Sequence, residues 1–322
     1  MIPRELYAKR LLVVTGKGGV GKTTVAAALG TAAAARGLRT IVAEVAARDD
    51  AARSLGPGAA VPRTFEETRV GERLHHISID PQHAMEEYLV DQLPVRALAG
   101  ALVSSRLFAY LAAATPGMRE LLTVGKVWEL AQPQRRTPGA QPYDLVILDA
   151  PATGHGLALL RAPRTFADTA RVGPIARQGR TIDQMLSDPT STGVLAVTTP
   201  EETPVSETLL LRAQLREQMG LDLDAVIVNQ LLPERLSVAE TLAIDTALAA
   251  AGAAAATTLR HRRTALHAAQ AQRARSHAQR AQLQRLRRGL DDEVPVTTLP
   301  TLVAGTIGDA ELDLLARKLT VR

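Results

Sequence analysis

The run Gly16-Lys17-Gly18-Gly19-Val20-Gly21-Lys22-Thr23-Thr24 places four glycines, two lysines and two threonines within nine residues. Glycines so spaced let consecutive backbone N–H groups turn inward around a phosphate. Gly16, Gly18, Gly19, Val20 and Gly21 form that turn. Lys22 stands where an ammonium reaches the β- and γ-phosphates of a nucleotide, and the Thr23 hydroxyl suits a Mg²⁺ ion. Lys17 is surplus to this arrangement. Because Lys22 already serves the phosphates within the chain, a lysine five residues earlier sits on the rim of the loop. There it can point at a nucleotide in a facing subunit, as an arginine finger does in trans. That role implies a dimer across the nucleotide face. The plainer alternative is a solvated rim lysine.

Phosphoryl chemistry on such a loop needs a second carboxylate to organise Mg²⁺, at the end of a neighbouring strand. Asp149 meets the requirement. It follows the apolar run Asp144–Leu148 and opens Asp149-Ala150-Pro151-Ala152-Thr153-Gly154-His155. Pro151 and Gly154 predict a turn there, able to move with the γ-phosphate. His155 either senses the phosphate or caps the next helix.

A strand, a Gly-rich turn and a helix N-terminus together make an anion site. The chain supplies this frame: Leu11–Thr15 reads as the strand, and an alanine-rich helical pattern runs from Lys22 to about Ala35. Further apolar runs read as buried parallel strands: Thr40–Glu44, Asp144–Leu148, Val194–Thr198, Ala225–Val228 and Val294–Leu299, with His75–Ile79 as a further strand or edge. Their alternation with helical segments predicts an α/β fold, a doubly wound, mostly parallel sheet. Between Asp80 and Pro142 the pattern is helical, with helices at Met85–Leu93, near Arg96–Ala113 and at Gly117–Ala131. A second helical stretch covers Arg164–Leu186. The expectation is one domain over residues 1–322, with a helical subdomain inserted at about 81–142 and 156–190.

Composition narrows the class. At 322 residues and 46% hydrophobic content the chain can bury a large core, but it has only one Trp, four Tyr and three Phe, so Ala, Leu and Val must fill it. The absence of cysteine excludes disulfides, thiolate metal sites and cysteine nucleophiles. No uncharged apolar stretch approaches the roughly 18 residues of a membrane span, and the opening MIPRELYAKRLLVV lacks a signal-peptide layout. A cytoplasmic protein without an integral membrane segment is expected. The net charge of +5 leans on residues 260–288, a helical run with nine arginines, three histidines and no acid. It reads either as a nucleic-acid or membrane-binding helix or as a solvated outer helix of the sheet domain. Without aromatic residues to stack on bases, nucleic acid is the disfavoured partner.

These residues carry a resemblance. GKGGVGKTT is similar to the deviant Walker A motif of the dimeric P-loop ATPases that include the nitrogenase iron protein and the division-site ATPases. DAPATGH resembles the DTAPTGH run of the ArsA family, which comprises the arsenite-pump ATPases and the ATPases that target tail-anchored membrane proteins. Further similarity lies in Thr199-Pro200-Glu201-Glu202-Thr203-Pro204-Val205-Ser206-Glu207-Thr208, in Val226-Ile227-Val228-Asn229-Gln230-Leu231-Leu232 and in Leu299-Pro300. Pro116–Leu122 with Lys126–Leu130 looks like the actinobacterial ArsA-like branch. The resemblance covers nearly the whole chain. It implies a P-loop NTPase fold, Mg²⁺-dependent ATP hydrolysis, and ATP and Mg²⁺ as ligands. Lys17, Lys22 and Asp149 would be catalytic, and Thr23 and Asp149 would hold the metal. Thr24 would meet the α-phosphate, Asn229 would read adenine, and Pro300 would flank the base.

The departures from the family are equally informative. The family's second strand ends in a segment resembling S-T-D-P-A-H, whose aspartate positions the attacking water. Here the strand runs Thr40-Ile41-Val42-Ala43-Glu44 and continues Val45-Ala46-Ala47-Arg48-Asp49-Asp50, which puts Ala46 at the aspartate's position. Glu44, Asp49 and Asp50 are out of step with it. Hydrolysis is therefore expected to be slow or to depend on a partner, while nucleotide binding survives. The cysteines that bind zinc or metalloid in the family are missing, which rules out a thiolate-bound arsenite effector. The expected assembly is a homodimer, or a heterodimer with a paralogous ATPase. An alternative is an ATP-gated chaperone or binding module for hydrophobic or membrane-protein clients.

Overall fold

A computed structural model describes residues 2–45, 65–92, 117–137, 139–170, 173–234, 237–250, 257–291, 293–302 and 306–320. A 3-10 turn, Arg4–Ala8, leads into β1, Leu11–Gly16, followed by α1, Lys22–Ala34, and β2, Thr40–Val45. A short β3, Thr68–Arg69, precedes β4, Leu74–Ile79, and then come α2, Pro81–Gln92, and α3, Met118–Leu130. Next are β5, Leu145–Ala152, α4, Thr153–Ala170, α5, Pro174–Ser187, β6, Thr192–Thr198, and α6, Glu202–Met219. The chain closes with β7, Ala225–Leu231, α7, Val238–Ala250, α8, Thr257–Gly289, β8, Val296–Pro300, and α9, Asp309–Leu319.

The strands form one eight-stranded sheet in the order β3-β4-β2-β5-β1-β6-β7-β8. Every pairing is parallel except the short β3 against β4. Burial explains why the strands read as unbroken apolar runs: all residues of β1 are buried, because helices cover both faces. Alternate residues go to opposite sides. Leu12, Val14, Val42, Ile147, Leu195 and Ile227 face α1, α9 and the N-terminal turn. Leu11, Val13, Ile41, Val146, Ala196 and Val226 face α3, α4, α5, α6 and α8. The helices of the expected insertion, so far as they are described, share this second core with the sheet through Leu121, Leu157 and Ile182. The helix expected near 96–113 lies outside the described residues.

Three local expectations shift. β5 does not stop before Asp149 but runs on to Ala152, because Ala152 pairs with Gly16 of β1. Thr153 then starts α4 directly, so Gly154 sits in a helical turn rather than a loop. The single stretch Arg164–Leu186 is two helices, with Gly173 at φ 102° as N-cap of α5 and Pro174 at its first position. Of the two readings of His75–Ile79, the further strand holds: it lies in β4, with β3 outside it. The arginine-rich run forms α8, which docks on the core through Leu283 and Leu286 while Arg273, Arg275, Arg287 and Arg288 stay exposed.

A buried charge network fastens α3 to the outer strands. Arg135, whose side chain is 1% exposed, lies 2.8 Å from Glu129 and 2.5 Å from Glu67. Tyr143 donates its hydroxyl to Glu67 at 2.7 Å. Lys126 completes the group, 3.1 Å from Glu129 and 2.8 Å from Glu87. Burial alone would raise the carboxyl pKa of Glu67 and Glu129, but the Arg135 hydrogen bonds, with the positive charges of Arg135 and Lys126, hold both below the usual range.

Candidate nucleotide site

The residues singled out above come together at the carboxyl ends of the parallel strands, where open α/β sheets bind ligands. β1 delivers the glycine loop, β5 delivers Asp149, and β7 delivers Asn229. Two glycines of the loop are dictated by backbone geometry. Gly16 takes φ 147°, and a Cβ there would meet the Val197 carbonyl oxygen at 2.0 Å. Gly21 takes φ 89° as the left-handed N-cap of α1, and a Cβ there would meet Asn229 Nδ2 at 2.4 Å. No side chain caps the start of α1, so its first N–H groups and the helix dipole face the loop.

Thr23 Oγ1 donates to Asp149 Oδ2 at 2.6 Å, from the first turn of α1 to the carboxyl-terminal half of β5. A hydroxyl and a carboxylate at this spacing are the hard oxygen donors that Mg²⁺ takes alongside nucleotide phosphates. The donor set therefore fits the ion. Asp149 is 7% exposed, and its Cα neighbours across the sheet are Val14 and Glu44. Glu44 points into a buried pair, with its Oε2 3.3 Å from His76 Nε2. Ala46, Asp49 and Asp50 lie outside the described residues.

The two loop lysines behave differently. Lys22 Nζ donates back across the loop to the Lys17 carbonyl at 3.1 Å, which holds its ammonium at the glycine loop. Lys17 turns outward. Its side chain is 35% exposed and forms an ion pair with Glu207 of α6. The other oxygen of Glu207 accepts from Thr153 Oγ1 at 3.3 Å, within the DAPATGH segment. One carboxylate thus joins the rim lysine to the segment after Asp149. Thr24 is the third residue of α1 and half-buried, whereas His155 is exposed in the first turn of α4.

Asn229 is 6% exposed and grips the loop, donating from Nδ2 to the Val20 carbonyl at 3.0 Å while Oδ1 accepts the Gln230 N–H at 2.9 Å. A primary amide has a second N–H and a second lone pair, so one donor and one acceptor remain for a base. Pro300 lies beside this strand exit, paired with Leu231.

Glu207 and Gln279 are the functional candidates that the sequence did not single out. Glu207 stands inside a recognisable segment, but its partner Lys17 is 190 residues away. A rim lysine beside an apolar strand invites a search for a carboxylate, and that signal was available.

The sequence matches the family described as anion-transporting ATPase over residues 9–177 and 170–244. The chain belongs to this family, the ArsA-type ATPases, and its mostly parallel sheet is that of a P-loop NTPase. It is 34% identical over 242 residues to ATPase BagA of Mycobacterium tuberculosis, a match covering 73% of this chain and 68% of that protein. A Halobacterium salinarum protein named "Putative arsenical pump-driving ATPase" is 30% identical over 237 residues, covering 70% of this chain and 36% of the relative. An Aquifex aeolicus protein named "Putative arsenical pump-driving ATPase 1" is 28% identical over 273 residues, covering 70% of this chain and 64% of the relative. Membership makes the chain an ATPase of nucleotide-binding type. Among the described residues no helix is long and apolar enough to cross a membrane.

Proposed function

We propose that this chain is a cytoplasmic ATPase whose ATP-bound form pairs with a second ArsA-type subunit across the nucleotide face, and that it turns over slowly on its own. The observation that carries the reading is the division of labour between the lysines. Lys22 lies over its own loop, whereas Lys17 leaves it and is held at the rim by Glu207. A cation placed there serves a facing phosphate better than its own.

In this reading the loop from Gly16 to Gly21 wraps the β-phosphate, and Lys22 neutralises the γ-phosphate. Thr23 and Asp149 hold Mg²⁺, and Thr24 meets the α-phosphate. Asn229 offers its remaining donor and acceptor to adenine, beside Pro300. Lys17 adds positive charge across the dimer, where developing negative charge on the transferred phosphoryl group is worth neutralising. Ala46 supplies no carboxylate to orient water, so the rate falls while binding remains. A paralogue with an intact aspartate is the natural partner.

Light scattering on the purified chain tests the assembly. MgATP is expected to double the mass, and Lys17→Ala is expected to stay monomeric while still binding nucleotide. Turnover by the chain alone should lie near background and rise when a paralogous ArsA-type subunit is added. Rapid turnover by a monomer, unchanged by Lys17→Ala, would overturn the proposal. Apolar peptides co-purifying with the ATP-bound form would favour a nucleotide-gated chaperone instead.

A further inference from the structure

The exit of β7 is built around an unfavourable backbone. Gln230 takes φ 59°, a left-handed conformation uncommon for a residue with a side chain. The sheet register shifts between Val228 and Leu231 at the same point. At this same turn the Gln230 N–H donates to Asn229 Oδ1. It therefore sets how the Asn229 amide meets the Val20 carbonyl in the glycine loop.

One side chain from the outer helix braces this segment on both sides of Leu231. Gln279 of α8 donates from Nε2 to the Gln230 carbonyl at 3.3 Å, and its Oε1 accepts the Leu232 N–H at 2.8 Å. Leu231 itself pairs with Pro300, and its carbonyl accepts the Thr301 N–H at 3.0 Å. Both strands proposed to flank the base thus meet at the segment that Gln279 holds.

We propose that Gln279 is a positioning residue for the nucleotide site, fixing the left-handed exit of β7 and through it the Asn229 amide on the phosphate loop. The proposal rests on the reading of Asn229 as a residue of the nucleotide site. Without the brace the Gln230–Leu232 segment relaxes toward ordinary backbone angles, and the Asn229–Gln230 peptide turns its N–H away from Asn229. The amide then loses one of its two anchors, and the loop loses the packing against Gly21. The chemistry at Lys22, Thr23 and Asp149 is untouched, so the loss falls on affinity rather than on turnover.

The test measures the ATP dissociation constant of the full chain by calorimetry, with turnover followed in the most active assembly obtained. Gln279→Leu keeps the side chain's size and is expected to weaken ATP about tenfold, the scale of one or two lost side-chain hydrogen bonds, with kcat within about twofold. Adding Gln230→Gly, which adopts the left-handed backbone without help, should recover most of that affinity. A general packing defect in α8 would not be repaired by a glycine on β7, so failure of this rescue overturns the proposal, as does an unchanged dissociation constant in Gln279→Leu. Should Gln279→Leu fail to fold, Gln279→Asn, too short to span Gln230 and Leu232, carries the same expectation. Asn229→Ala separates the two layers. If it binds ATP normally, the reading of Asn229 falls and the Gln279 proposal with it. If it weakens ATP and Gln279→Leu does not, only the Gln279 proposal falls.

Discussion

Lys22→Ala is expected to weaken MgATP binding by about two orders of magnitude, in line with the roughly 2–5 kcal/mol lost when one partner of a desolvated charge pair is removed. The backbone N–H groups of the loop and the dipole of α1 offer partial charges only, and helix-end effects are worth about 1 kcal/mol each. The Lys22 ammonium puts a full positive charge at the glycine loop, 3.1 Å from the Lys17 carbonyl. Titration calorimetry of the variant in the presence of Mg²⁺ reads the effect directly. Lys17→Ala is the internal contrast. Because Lys17 is engaged with Glu207 outside the cradle, its loss should leave the dissociation constant within about threefold while abolishing nucleotide-driven pairing. Equal losses of affinity in the two variants would contradict the assignment of separate roles.

Arg135→Ala is expected to cost about 3–5 kcal/mol of stability, the range for breaking a buried ion pair from one side. The guanidinium is 1% exposed and lies between Glu67 and Glu129, so its removal leaves two carboxylates and the Tyr143 hydroxyl in a poorly solvated space. At roughly 2–4 °C per kcal/mol, the melting temperature should fall by about 10 °C. The effect has a pH signature. Glu67 and Glu129 have folded pKa values below the ordinary 4.5, so the native state favours their charged forms. The stability they contribute is present above pH 4.5 and is lost as pH falls through their folded values. The gap between wild type and Arg135→Ala should therefore narrow below that pH. Calorimetric melting of both proteins at pH 7 and pH 4 measures it, and a gap that widens in acid would count against the network as described.

Much of the scaffold was legible because its physics is local. Strands buried on both faces must be apolar at every position, which is why Leu11–Val14 and Leu145–Leu148 stand out in the chain. The glycine loop is legible for a related reason, since backbone that wraps a phosphate tolerates few residue types. Asp149 stood out as a carboxylate closing an apolar run, although the strand itself continues to Ala152. What escaped is non-local. Glu207 is one of three glutamates within seven residues, Glu201, Glu202 and Glu207, and nothing nearby distinguishes it. Its meaning comes from Lys17, which the fold brings to it. Gln279 is harder still, one of several glutamines in an Ala/Arg/Gln helix, and its partners lie 49 and 47 residues away. Its role depends on the φ angle of Gln230, which no composition or periodicity encodes. The break at Gly173-Pro174 is a different case. The signal was present, a glycine before a proline at a helix start, and the surrounding helical pattern overrode it.

The small residues of α1 act as a ruler laid flat on the sheet. Ala26, Ala27, Ala28, Ala32 and Ala33 are fully or almost fully buried, and a Cβ at Gly30 would meet Val42 Cγ2 at 2.7 Å and Leu74 Cδ1 at 3.0 Å. The helix rests almost backbone-on-strand. Thr23 lies seven residues back along the same rod, about 10 Å at 1.5 Å per residue. Its 2.6 Å reach to Asp149 is consequently calibrated by bulk missing at the far end of the helix. A methyl added at Gly30 would press on Val42 and Leu74, and it is expected to lengthen the Thr23–Asp149 contact at the start of the helix. The space left at Gly30 is thus one of the things that set how closely the hydroxyl and carboxylate approach.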